Sequence, residues 1–257
     1  MFRKVLLKEA VVAMMLILAV SISSCSKIDE AKKALDDSKT AGVEVEDGWT
    51  IKDNGEFMYV VVVENTTDKT ITKGNIHLVG LDEEGNVLND PDVDPGSNTM
   101  GTIFPGEKAM YMICSANTGT DGNSLWSRTP ATFRCEVSEI VWGETDQPHI
   151  TIENAERIMT NGDSYYYKLT LKNNSEEDFD WQQLRDNYGD LEINEVLKDG
   201  DGKIIGMTTL WPDEYEQSGS YPVIPAGGEI TTEAYVGEFV ELPLSEAESR
   251  EVMITWW

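Results

Sequence analysis

The chain has 257 residues, of which 20 are Lys or Arg and 47 are Asp or Glu, for a formal net charge of −27. So acidic a surface is repelled by nucleic acid and by anionic lipid head groups, which excludes a nucleic-acid partner and a membrane contact made through a basic patch. Basic partners or divalent cations remain compatible with it, and the length leaves room for two small domains.

The first elements form an address. Arg3, Lys4 and Lys8 supply a positive stretch, Ala10 to Val20 an uninterrupted apolar run, and Ser21, Ser23 and Ser24 small residues ahead of Cys25. This is the order of a secretory signal. The apolar run is shorter than the ~20 residues needed to span a bilayer. Ile22-Ser23-Ser24-Cys25 resembles the lipobox of bacterial lipoproteins, an aliphatic residue and two small residues followed by cysteine. The resemblance implies cleavage before Cys25 and covalent diacylglycerol on its sulfur. The chain would then be extracytoplasmic, on the outer leaflet of the cell membrane. Ser26-Lys27 lacks an aspartate that would retain the protein at an inner membrane, so the outer membrane is implied where the envelope has two. Each buried methylene contributes about 0.8 kcal/mol, and two acyl chains hold where one is marginal.

Ser26 to Gly42 is polar, with Ile28, Ala31 and Leu35 as a weak helical stripe. Such a segment is too short to be a stable helix alone. It reads as a partly helical tether, so that 1–24 is the signal peptide and 25–44 the lipidated N-terminus and tether.

The remainder contains an internal repeat. Phe57 to Asn65 lines up with Tyr165 to Asn173, Gly74 to Leu78 with Gly189 to Ile193, and Glu84-Gly85-Asn86 with Asp201-Gly202-Lys203. Phe104 to Glu107 lines up with Ala226 to Glu229, and Glu136-Val137 with Glu251-Val252, each pair followed by Ile and then Trp. Tyr165, Tyr167, Leu169 and Leu171 alternate with Tyr166, Lys168, Thr170 and Lys172, the period of a half-buried strand. Short strands separated by Gly- and Asp-rich turns predict an all-β chain of two tandem immunoglobulin-like β-sandwiches, 45–147 and 148–257. Asn65-Thr66, Asn174-Ser175, Asp82 to Gly85 and Pro105-Gly106-Glu107 resemble the turn motifs of FxLYD-type extracellular domains of bacterial lipoproteins. Ala226-Gly227-Gly228-Glu229 departs from the last motif. The resemblance implies a fold and an extracytoplasmic setting, with no catalytic residues.

Two segments are peculiar to the second copy. Glu176 to Tyr188 suggests a short helix, and Leu210 to Pro222 a polar loop carrying Trp211, Tyr215 and Tyr221. Trp and Tyr offer large contact area at little entropic cost, so these three are the candidate partner-binding residues. They serve equally as caps on the end of the core. Cys114 and Cys135 lie in strand-like runs, and an extracytoplasmic site permits a disulfide between them. Two buried thiols fit the same pattern.

Chemistry is sparse. His77 and His149 are the only histidines, and no nucleophile elbow, Walker loop or zinc motif is present. Asp90, Asp92 and Asp94 alternate as calcium ligands do in an EF-hand, but two prolines interrupt the run and no closing Glu follows. A solvated acidic loop accounts for it as well. No cofactor is expected beyond the diacylglycerol on Cys25, calcium being the weak candidate. The favoured reading is a non-enzymatic lipoprotein presenting two β modules to a protein or glycan. A structural envelope lipoprotein is the alternative, followed by a carboxylate-based hydrolase. A loosely joined pair of units would suit a spacer, and a tightly packed pair a composite surface.

Overall fold

The computed structural model describes residues 42–51, 57–88, 97–115, 130–160, 164–180, 191–212, 223–237 and 247–256, and every regular element among them is a strand. The first half contributes β1 (Val43–Ile51), β2 (Phe57–Asn65), β3 (Thr70–Leu81), β4 (Ser97–Met100), β5 (Lys108–Ser115) and β6 (Thr132–Gly143). The second contributes β7 (Ile150–Met159), β8 (Tyr165–Asn173), β9 (Phe179–Asp180), β10 (Leu191–Lys198), β11 (Ile204–Pro212), β12 (Val223–Ile224), β13 (Glu229–Val236) and β14 (Ser249–Trp256).

In the first half two three-stranded sheets, β1-β2-β5 and β4-β3-β6, share one core built on Tyr59, Val61, Val63, Ile76, Leu78 and Tyr111. The second half repeats the plan as β7-β8-β13 and β11-β10-β14. Here the two layers are also hydrogen-bonded to each other, because β11 runs on to pair with β13 at Leu210↔Val236, Trp211↔Tyr235 and Pro212↔Ala234. The result is one antiparallel six-stranded sheet in the order β14-β10-β11-β13-β8-β7, curled until its end strands approach each other in a nearly closed barrel. Its core holds Tyr167, Leu169, Leu171, Phe179, Ile193 and Trp256.

The repeat is visible in the hydrogen bonds. Asp82 Oδ1 accepts from the backbone N–H groups of Glu84 and Asn86, and Asp199 Oδ1 accepts from those of Asp201 and Lys203. The glycines of the two turns, Gly85 and Gly202, have φ of 80° and 79°, a left-handed conformation that a side chain would strain. Asn65 and Asn173 are fully buried and bond alike: each amide donates to two carbonyls, those of Lys69 and Ile103 in one half and of Glu177 and Ile224 in the other. These Asn side chains tie the end of one strand to the chain entering another, and the bonds satisfy their own buried amides, which if left unpaired would cost about 1–3 kcal/mol.

The same bonds correct the alignment. Glu107 N–H donates to Phe104 O, and Gly228 N–H to Pro225 O, with the left-handed glycines Gly106 and Gly227 inside the two turns. Phe104 therefore corresponds to Pro225 and not to Ala226. The matched turns opening at Asp82 and Asp199 align Leu78 with Glu195 and not with Ile193; Leu78 pairs with Cys135 and Glu195 with Val252, so Val252 corresponds to Cys135 and not to Val137. The helix expected from Glu176 is replaced at Phe179–Asp180 by β9, paired with β12. Leu210, Trp211 and Pro212 belong to β11 and not to a loop.

The halves are not loosely joined. β2 is buried on both faces: Tyr59, Val61 and Val63 face the first core, while Val60 and Val62 join Met110 against Val196, Ile204, Met207 and Met253 of the second half. Gly48 of β1 sits against the backbone of Ile204, where a Cβ would stand 2.1 Å from the carbonyl oxygen. The Thr255 hydroxyl donates to Met110 O and accepts from Met110 N–H, both at 3.0 Å, which pairs the free edge of β5 with a side chain from β14. Lys198 bridges Glu46 (2.8 Å) and Glu251 (3.2 Å), and Lys108 of the first half meets Glu251 at 2.8 Å. The Lys203 ammonium lies 5.9 Å from the centre of the Trp49 ring.

Candidate functional site

Strand alternation turns the even residues of β8 outward, and the pairing of its neighbours extends that parity across the sheet. Tyr166 stands opposite Ile158 of β7 and Tyr235 of β13, and Tyr235 opposite Trp211 of β11. Ile158, Tyr166, Tyr235 and Trp211 thus form one row across four strands on the outer face. The two tyrosine rings are 5.4 Å apart and near parallel at 26°. Trp211 is 37% exposed. Its indole edge lies over Gly237, where a Cβ would come within 2.8 Å of Nε1, so a glycine is needed for the ring to lean on the sheet. The Tyr235 hydroxyl donates to Glu233 at 2.8 Å. Two residues along the strands runs a second outer row, Glu156-Lys168-Glu233, all exposed. Aromatic faces therefore border directly on charged hydrogen-bonding groups.

Inside the same half is a buried charge. Glu195 is fully buried and accepts from the hydroxyls of Tyr165 (2.6 Å) and Tyr167 (2.7 Å) and from Arg250 (2.9 Å). Arg250 also donates to the Tyr165 hydroxyl at 2.8 Å. Burial first, and the Glu195 carboxylate second or third, raise both tyrosines above their ordinary range. Burial opposes the Arg250 charge, but Glu195 outweighs it and holds the guanidinium protonated. This network braces the core of the second half.

At the junction a cleft of about 370 Å³ lies between the Gly106–Lys108 turn, the start of β7 and the middle of β14. Its charges are engaged: Lys108 with Glu251, and Glu107 with His149 Nε2 at 2.6 Å, whose ring stacks on Phe104. Burial disfavours the Glu251 carboxylate, but Lys108 and Lys198 outweigh it and hold its pKa below the usual carboxylate range. Burial likewise disfavours charge on Lys198, and Glu46 and Glu251 outweigh it and raise its pKa. A depressed carboxylate stabilises the fold above its unfolded pKa, about 4.3, and that support is lost as pH falls through the folded value. A raised lysine stabilises below its unfolded pKa, about 10.4, and that support is lost as pH rises through the folded value. A melting temperature that is flat between about pH 5 and 10 and falls on both sides is expected, with Glu251→Gln flattening the acid limb. An acid limb identical in this variant would refute the assignment.

No protein-family model and no curated protein matches the chain. The site is therefore read from its own residues. Of those picked out in the sequence, Trp211 falls in the outer row, joined by Tyr166 and Tyr235, which sequence reasoning missed. Cys25, Asp90, Asp92, Asp94, Tyr215 and Tyr221 lie outside the described residues, as does the Cys114 side chain. Cys135 is a free thiol that borders the first core, and a disulfide with Cys114 turns on a side chain outside the described residues. Burial, reinforced by the nearby Asp47 charge, pushes the Cys135 thiol up to about 12 and makes it a poor nucleophile. His77 bonds Ser138 Oγ on the outside of β3.

Proposed function

We propose that this protein is an extracytoplasmic lipoprotein, anchored through diacylglycerol on Cys25, whose two β modules serve recognition and not catalysis. The observation that carries the recognition reading is the outward row of Trp211, Tyr235 and Tyr166. These three lie on the outer side of the sheet and not in its core, and Trp and Tyr are the residues favoured at binding hot spots. The duplicated turns and the matching order of strands in the two halves support a reading of both as immunoglobulin-like modules. Fused through the third apolar cluster, they present a composite body to the partner and do not act as a spacer.

Two measurements test this reading. Cys25→Ser is expected to abolish labelling by a palmitate analogue and to move the protein from the membrane to the soluble fraction. Chemical cross-linking on intact cells is expected to give a discrete adduct that Trp211→Ala and Tyr235→Ala both lose. Retained label in the first variant sinks the anchor, and an unchanged adduct in the other two sinks the recognition surface.

A further inference from the structure

The apolar layer that joins the two halves is rich in methionine, and we propose that it is a modification site for hydroperoxides, at which oxidation of Met58 and Met112 to sulfoxides uncouples the halves. Of its nine described side chains five are methionines: Met58, Met110, Met112, Met207 and Met253. The core of the first half holds one, Met100, and that of the second holds none. Leucine packs similarly and does not oxidise, yet it is absent from the layer although both cores use it. Methionine is thus concentrated where the halves meet and not where either half folds. Strand pairing sets Val60 opposite Met112 and Val62 opposite Met110 on one side, and Met207 opposite Val196 on the other. Met110 is fully buried, and Met207 and Met253 are 5% and 6% exposed. Met58 and Met112 are only partly buried. The layer therefore has a closed middle and a rim within reach of a small oxidant.

The step needs no cofactor. A sulfur lone pair attacks the terminal oxygen of the hydroperoxide, and the S–O bond forms as the O–O bond breaks. The thioether gives up two electrons, the transferred hydroxyl passes its proton to the leaving oxygen, and water or an alcohol departs. The product is a polar group on a side chain that had packed as an apolar one. Polar groups beside the layer are already bonded, Thr255 to the Met110 backbone and Asn194 to Thr209. The sulfoxide is hydrated only if its side chain swings out or the halves draw apart, and either course opens Val60, Val62 and Met110 to water. The two cores, one with a single buried methionine and the other with none, stay intact. Gap-filling alone would also select methionine, and the two accounts differ in what oxidation does. Met159 supplies the internal control: it is 52% exposed on β7 and belongs to none of the three apolar clusters.

The test treats the purified full-length protein with increasing hydrogen peroxide. At each dose peptide mass spectrometry reads the oxygen taken up by each methionine, alongside the melting temperature and the binding of an apolar dye. Met159 is expected to convert first, with no change in stability. As Met58 and Met112 convert, the melting temperature should fall by about 5 °C or more and dye binding should rise, while far-UV circular dichroism at room temperature stays constant. Met159→Leu should follow the wild type. The double variant Met58→Leu, Met112→Leu, which conserves volume, should hold its melting temperature through the same doses. Three results overturn the proposal: Met58 and Met112 unconverted at doses that finish Met159, conversion with an unchanged melting temperature, or an equal fall in the double variant. Should the double variant fold poorly, the wild-type series still decides, because the fall must track conversion of Met58 and Met112 and not that of Met159.

Discussion

Arg250→Met is expected to destabilise the protein by about 3–5 kcal/mol. Glu195 is fully buried, and Arg250 is the only cation bonded to it among the described residues. Removing that cation leaves a carboxylate in an apolar core with two tyrosine hydroxyls for company. The first half shows how the same positions are filled without charge. Strand correspondence places Leu78 where the second half has Glu195, Phe133 where it has Arg250, and position 57 (Phe57) where it has Tyr165. The combined variant Glu195→Leu, Arg250→Phe, Tyr165→Phe should therefore be neutral or stabilising, by as much as about 1–4 kcal/mol, because a buried ion pair seldom repays its desolvation. Urea titrations of both variants decide the matter. An Arg250→Met loss below about 1 kcal/mol would show that the carboxylate reaches water and does not depend on this cation.

Gly48→Val is expected to cost roughly 3 kcal/mol or more, although the position is at an edge strand and away from both main cores. A Cβ at Gly48 stands 2.1 Å from the Ile204 carbonyl oxygen, and backbone cannot rotate aside as a flexible side chain can. The halves must part there, and parting opens the cluster of Val60, Val62, Met110 and Met207 to water. Wild-type protein should unfold in one transition by both far-UV circular dichroism and tryptophan fluorescence, since neither half keeps its outer face covered alone. In Gly48→Val the midpoint should fall and the two probes should separate. Coincident curves with an unshifted midpoint would mean that the junction carries little of the stability.

Much of the fold was legible, and its gaps have physical causes. The repeat and the all-β class follow from alternation and turn chemistry, which are local. The alignment slipped by one residue at Ala226 because two adjacent glycines, Gly227 and Gly228, both suit a turn, and only the backbone shows that Gly227 takes the left-handed φ. It slipped by two at Val252 because a period of two is unchanged by a shift of two. The run Val60 to Val63 did carry a signal that alternation missed: a strand apolar at every position is a strand covered on both faces. The rest was not local. Nothing local marks Glu195 as buried, because the Arg250 that pairs with it arrives from 55 residues away. Tyr166, Tyr235 and Trp211 become neighbours only through strand pairing, so Trp211 could be suspected from composition and its companions could not.

The Thr255 hydroxyl meets the backbone of Met110 across 145 residues of sequence. Contacts so distant along a chain close late, after most of the loop entropy has been spent. A polypeptide emerging N-terminus first can build its first sheets early, yet β5 keeps a bare rim until β14 has been made. During that interval the rim is a template on which a second chain could add a strand. The fold is thus sealed by β14, and the span between making β5 and making β14 is the interval in which this molecule most needs to be kept apart from its copies.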